Sequence, residues 1–267
     1  MDSYEVYGEQ LIALDGALTP NFWRAPTDND YGGDYHLANA VWKNPTIELV
    51  SLESEMKNEL AHVDAVYNIK EVSAKLYLNY VINNKGAVQV TQKMVADKTK
   101  KVGRMFRFGM QLVMPKAFEK LTYYGRGPIE NYSDRNHCTD LGIYEQTVTE
   151  QYYPYGRPQE NGNKTDIRWW NLKNIKGDGL QIVAEKPFSA SALHYSIASL
   201  DGGPDKAQTH AEELVEDNLT NVLIDKVQQG LACEDSWGAL PEAPYLLPYG
   251  NYEFSFILKP LKDISFR

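Results

Sequence analysis

"KLYLNYVINNKGAVQVTQKMV", residues 75–95, reads as two strands and the turn between them. On either side of "NNKG" (83–86), apolar and polar side chains alternate with a period of two, as they do in half-buried strands. Asn and Gly in the turn tolerate positive φ, which a tight hairpin needs. The same period recurs in "RMFRFGMQLV" (104–113), "GLQIVAEK" (179–186) and "YEFSFILKP" (252–260). In the last of these, Tyr252, Phe254, Phe256 and Leu258 share one face.

Helical patterning is scarce. "DYHLANAVWK" (34–43) predicts two to three turns, with Leu37, Val41 and Ala38 on one side and Pro45 as the stop. "KAQTHAEELVED" (206–217) predicts a second short helix, capped by Thr209 with Glu212 three residues on. Two long loops are expected, near 125–140 and 150–168. No linker, repeat or shift of composition divides the chain, so 267 residues of antiparallel strands predict a single all-β domain, a large sandwich.

Bulk chemistry narrows the function. Aromatic residues make up 12% of the chain, with 18 Tyr and 5 Trp, which suits sheets and also surfaces that stack on sugar rings. A net charge of −9 argues against nucleic acid as a partner, since such binders need concentrated basic surface. Lys98, Lys100 and Lys101 read as a solvated turn. No run approaches the ~18 apolar residues of a membrane helix, so no membrane partner is expected. Cys138 and Cys233 are the two cysteines and read as reduced, buried thiols. No CxxC, HExxH or Cys/His cluster is present, so no metal site is expected. "MDSYEVYGEQ" reads as a strand and turn entered midway, which suggests a piece of a longer polypeptide.

Four polar, aromatic stretches carry the chemistry. "TPNFWRAPTDNDYGGDY" (19–35) reads as loop, with Phe22 and Trp23 as anchors. "YYGRGPIENYSDR" (123–135) lacks the third glycine of a dinucleotide fingerprint, so Gly125 and Gly127 are expected to form a tight turn. Its Glu130, Asn131, Asp134 and Arg135 are then expected to tie the loop down by hydrogen bonds. "YYPYGRPQENGNKTDIRWWNL" (152–172) adds Glu160 and Asn161 in a Pro-stiffened loop, and of its adjacent Trp169 and Trp170 at least one should be core. "LACEDSWGALPEAPYLLPYGNYEF" (231–254) places Trp237 in a loop, where an exposed indole can meet the apolar face of a hexose. Paired carboxylates are the chemistry of glycoside hydrolysis. Here Asp28/Asp30, Glu160 and Glu234/Asp235 sit among loop-forming residues and read as structural acceptors.

In this order and spacing, "NFWRAPTDND", "YYGRGPIENYSDR", "YGRPQENGNKTDIRWW" and "CEDSWG" resemble the C-terminal, small-chain domain of the β-galactosidases of glycoside hydrolase family 2, from about Thr19 to Leu258. The resemblance implies an antiparallel super-sandwich like that of galactose mutarotase, packed beside a TIM barrel that supplies both catalytic glutamates. It implies no catalytic residue, cofactor or metal in this chain, with magnesium or sodium on the barrel, and hence a domain inactive alone. It assigns substrate contact to Trp237 and a mobile active-site loop to Asp28, Asn29, Asp30, Gly32 and Gly33, the glycines acting as hinges. Arg24, Glu130, Asn131, Asp134, Arg135, Glu160 and Asn161 would brace that region. The implied partners are the barrel, the other domains of the parent chain and a galactoside. The family domain also begins with strands ahead of "SYEVYGEQ", so residues 4–12 are expected to form an unpaired edge strand. Two rivals remain: a free-standing carbohydrate-binding module, and a mutarotase-like epimerase that would need a converging His and Glu.

Overall fold

The structure, a computed structural model, describes residues 1–232 and 234–262. Its strands are β1 (Glu5–Val6), β2 (Glu9–Gln10), β3 (Leu18–Asn21), β4 (Ile47–Lys57), β5 (Leu60–Ile69), β6 (Ala74–Ile82) and β7 (Val88–Ala96). They continue with β8 (Arg107–Pro115), β9 (Lys120–Gly127), β10 (Asp140–Thr147), β11 (Lys164–Lys173), β12 (Gly179–Leu193), β13 (Leu219–Gln228) and β14 (Tyr252–Leu261). Three short helices accompany them: α1 (Asp28–Gly32), α2 (Tyr35–Ala38) and α3 (Ile197–Leu200).

The β6–β7 hairpin forms as its sequence predicts, with Ile82 opposite Val88. Asn83 Oδ1 accepts from the amides of Lys85 and Ala87, and Gly86 takes φ 80°. Strands β3 to β14 make one 12-stranded sheet, and the pairings are antiparallel. One path runs β10-β9-β11-β12-β14-β7-β6-β5-β4, and a branch runs β12-β13-β8-β3. The 15-residue β12 belongs to both: Gly179–Val183 pairs with β14, and Ser189–Leu193 pairs with β13. The two arms face each other across a shared apolar core. Phe108 of β8 packs 5.2 Å from Tyr252 of β14 and 5.9 Å from Phe22, which ties the arms to the root of the 19–35 segment. Trp170 is the buried member of the tryptophan pair and lies 5.0 Å from Tyr123, while Trp169 is half-buried.

Several local expectations change. Residues 4–12 are not an unpaired edge: β1 and β2 pair with each other across Tyr7-Gly8, both at positive φ. Tyr4, Leu11 and Ile12 are buried, and the Tyr4 hydroxyl donates to Gly86 O at 2.6 Å. Gly125 and Gly127 lie inside β9 rather than in a turn. A Cβ on Gly127 would meet the Tyr123 hydroxyl at 2.2 Å, so the glycines answer to crowding. The 34–43 helix shrinks to α2 and a 3₁₀ turn at Ala40–Trp42. Its buried residues are His36, Asn39 and Trp42, and Leu37 is 53% exposed, because Trp42 rather than Leu37 reaches Phe22. The 206–217 stretch forms only a 3₁₀ turn at Ala211–Glu213, and His210 rather than Thr209 occupies the N-cap. Cys138 is exposed, unlike the buried thiol expected, since its turn lies at the surface after Asn136. Cys233 lies outside the described residues.

Phe108 bridges the two arms, so Phe108→Ala should cost about 3–5 kcal/mol in urea unfolding. The exposed Leu52 of β4, changed to Ser, should move stability by less than ~0.5 kcal/mol. Equal losses would show that the arms do not share a core.

Candidate functional site

The site is built on α1. Thr27 caps it: its Oγ1 accepts from the Asp30 amide at 3.1 Å, and Asp30 Oδ2 accepts from the Thr27 amide at 2.9 Å. This reciprocal capping box turns the expected loop at 28–33 into a helical turn. The same Asp30 carboxylate takes two bonds from Arg24, Nε to Oδ2 at 3.0 Å and Nη2 to Oδ1 at 2.8 Å, with both side chains buried. Arg24 Nη1 then donates to Gln229 O at 2.7 Å, at the end of β13. The guanidinium thus joins α1 to the start of the segment that carries Trp237.

That segment, residues 229–232 and 234–239, is pinned at several points. Asp134 Oδ2 accepts from the Ala232 amide at 2.8 Å. Asp235 Oδ1 accepts from the amides of Trp237 (2.9 Å) and Ala239 (3.1 Å), and these bonds hold its carboxyl below the usual range. Asn29 reads the backbone both ways: its Oδ1 accepts from Gly238 N at 2.8 Å, and its Nδ2 donates to Ala239 O at 2.8 Å. The Tyr35 hydroxyl donates to Gly238 O at 2.5 Å. Trp237 is left 84% exposed on a backbone held at its own amide and at Gly238.

Gly32 and Gly33, expected as hinges, lie directly against the Trp237 segment. Neither takes positive φ. A Cβ on Gly32 would lie 2.5 Å from Ser236 O, and one on Gly33 would lie 3.0 Å from Gly238 Cα. They are small because the Trp237 segment presses directly on their backbone.

Beside it opens a polar depression of about 240 Å³, lined by Asp28, Asn29, Arg135, Tyr155, Gln159, Glu160, Asp235 and Ser236 among others. Burial alone would raise the Asp28 carboxyl. Hydrogen bonds and charge from Arg157 (2.9 Å) and Lys206 (3.0 Å) outweigh that and hold it low. Glu130 Oε1 accepts from Arg135 Nη2 at 2.8 Å and from the Tyr155 hydroxyl, while Oε2 accepts from the Gly162 amide at 2.8 Å. Burial and the bond to Glu130 push the Tyr155 phenol up to about 12. Asn131 and Asn161 serve the scaffold nearby: Asn131 Oδ1 accepts from Thr165, and Asn161 Nδ2 donates to Gln159 O.

Beneath Glu160 lies a charge cluster in the sheet. Arg107 donates to Glu160 Oε2 at 2.7 Å and to Asp225 Oδ2 at 3.1 Å, and all three side chains are buried. One guanidinium cannot neutralise two dry carboxylates. Burial, with repulsion from Glu160, pushes the Asp225 carboxyl up to about 7 despite Arg107.

The sequence-predicted residues therefore divide. Arg24, Asp28, Asn29, Asp30, Gly32, Gly33 and Asp134 meet around the Trp237 segment. Arg135 and Glu160 line the depression, Glu130 holds Arg135 from behind it, and Asn131 and Asn161 hold the strand entry. Sequence reasoning missed Arg157, Tyr155 and Gln159, although all three lie in the Pro-stiffened 152–172 stretch. It also missed Arg107 and Asp225, whose strands carry no signal that two arms would bring them together. Among the described residues, no group of three or more His, Cys, Asp or Glu is arranged to hold a metal ion.

The family model for the β-galactosidase small chain matches residues 1–258. The chain belongs to this family. Among its relatives, the β-galactosidase of Priestia megaterium is 34% identical over 265 residues, which is 97% of this chain and 24% of that protein. That of Lactobacillus delbrueckii subsp. bulgaricus is 35% identical over 221 residues, covering 81% of this chain and 21% of that protein. The small-chain domain thus spans about a quarter of the length of these curated relatives. Among solved structures, a galactose mutarotase related enzyme from Lactobacillus acidophilus is similar over 100% of this chain and 80% of its own, at 10% identity and a TM-score of 0.44.

Two outcomes test the site. Asn29→Ala should speed hydrogen exchange of the Gly238 amide at least about tenfold by NMR, because its acceptor is removed; an unchanged rate would show that Asn29 does not hold the segment. The second concerns Asp225, whose carboxyl is raised in the folded chain from about 4 to about 7. The native state then binds more protons between those values, so this stabilisation is present at pH 4 and lost as pH rises through 7. Asp225→Asn should flatten that slope in urea midpoints measured from pH 4 to 8; a slope identical to wild type would exclude Asp225 as its source.

Proposed function

We propose that this small-chain domain is the sugar-site-lining part of a β-galactosidase of glycoside hydrolase family 2. In this reading Trp237 stacks on the galactosyl ring, while the acid/base and nucleophilic glutamates belong to a TIM barrel elsewhere in a longer parent protein. The observation that carries it is the contrast at Trp237: an indole 84% exposed on a backbone held by Asn29, Tyr35 and Asp235. A backbone fixed before the ligand arrives loses little freedom when its ring stacks, and an exposed indole offers the flat apolar face that galactose-like rings bind.

The acids near it support a lining role rather than chemistry. Asp28 and Asp30 are committed to Arg157, Lys206 and Arg24, and Asp235 to backbone amides. A retaining glycosidase needs one carboxylic acid held protonated and a second free to attack, and these pairs offer neither. The relatives named above are β-galactosidases about four times as long, which leaves room for a catalytic domain beyond this region.

The chain alone should hydrolyse o-nitrophenyl β-galactoside weakly or not at all, and activity should appear when the rest of the parent polypeptide is supplied. In that assembled enzyme, Trp237→Ala should raise KM at least about tenfold, the equivalent of ~1.4 kcal/mol of sugar binding. Full activity of the chain by itself, or unchanged kinetics in Trp237→Ala, would overturn the reading.

A further inference from the structure

The sheet path ends at β10 and at β4, and its branch ends at β3. An open strand border is a ready template for another strand, so proteins blunt such borders. β3 is four residues long and carries Pro20, which has no N–H to give. β4 has a register shift between Leu49 and Ser51, and Glu48, Glu53, Glu55 and Lys57 along its length. β10 has neither a proline nor a register shift. It follows β9 without a break from Asp140, opposite Gly127, to Thr147, opposite Lys120. Among the described residues no strand pairs with its other side.

β10 also brings apolar side chains to that border. Leu141 is 45% exposed and Ile143 is 66% exposed. Opposed residues of an antiparallel pair lie on one face, and here Ile143, Tyr124, Trp169, Val183 and Ile257 oppose one another in turn. They form an apolar row across β10, β9, β11, β12 and β14. The row faces outward, because the chain neighbours Tyr123, Trp170, Ile182 and Phe256 point into the core. Its last side chain is Ile143, at the open border.

The sequence of β10 is complementary to itself. In an antiparallel pair of two β10 strands centred on Gly142, Leu141 of each copy opposes Ile143 of the other, and Asp140 opposes Tyr144. Gly142 then meets Gly142 at the axis, where two backbones approach without a side chain between them. No like charges oppose each other. Sliding to the next same-face register in either direction sets Leu141 against Glu145 or Ile143 against Thr139, and the apolar match is lost.

We propose that two copies of this chain join through β10, antiparallel and two-fold symmetric, so that one sheet continues into the other. The apolar row of each copy then runs on across the axis. Such a contact uses the same surface on both partners and closes both borders at once, which ends assembly at the dimer. It draws on no residue of the Trp237 site.

Sedimentation equilibrium of the 267-residue chain should show its mass rise from monomer to dimer between micromolar and millimolar concentration. Leu141→Glu and Ile143→Lys, both at exposed positions, should each weaken the dimer at least about tenfold, since each change acts on both sides of the axis. Combined in one chain, the two changes set opposite charges against each other across the axis, and affinity should return to within about threefold of the original. Leu52→Ser, on the β4 border, should leave the dimer as it is. A chain that stays monomeric up to millimolar concentration, a dimer that either single change leaves intact, no recovery in the combined variant, or loss of the dimer in Leu52→Ser overturns the proposal.

Discussion

The buried pairing of Arg24 with Asp30 is the contact through which the rest of the site is organised. Asp30 completes the capping box of α1 through Oδ2 and receives the guanidinium on both carboxylate oxygens. Arg24 carries the connection to the backbone at Gln229 and lies 4.7 Å from the centroid of the Phe106 ring. A buried pair of this kind adds little net stability over apolar packing, yet loss of one partner costs ~3–5 kcal/mol because a charge is stranded. Its value here is positional: it sets where α1 stands relative to the end of β13.

From that placement the rest of the site follows by short steps. α1 presents Asn29 to the Trp237 segment, and two glycines let the backbones touch. Trp237 is therefore an exposed ring on a hydrogen-bonded backbone. This inverts the usual arrangement of a binding loop, in which mobility and exposure go together. The acids that a glycosidase reading would first suspect are engaged as anchors.

Much of the fold was legible because strands announce themselves. Period-two alternation located β6, β7 and β14, and "NNKG" located a turn, since these signals are local. What eluded the sequence was set by distant contacts. Leu37 has the spacing of a core residue, but Trp42 took the contact with Phe22. Gly32 and Gly33 lie against Ser236 and Gly238, some two hundred positions away, and no local pattern announces that contact. The four motifs predicted which residues would gather at the site. The Arg107–Glu160–Asp225 cluster beneath it came from three separate segments, and no stretch of chain contains its pattern.

β12 has a consequence for how the molecule is made. Because this strand is hydrogen-bonded to β14 at its beginning and β13 at its end, the branch through β13 can close first, while the longer path lacks its full complement of neighbours until β14, starting at Tyr252, has left the ribosome. Many pairings span long separations, such as β7 with β14 and β3 with β8. Chains dominated by such separations reach the native state slowly, and they expose unsatisfied strand borders meanwhile. During synthesis the nascent β6–β7 hairpin must wait about 160 residues for its partner on the β14 side, and chaperone occupancy would be concentrated in that interval.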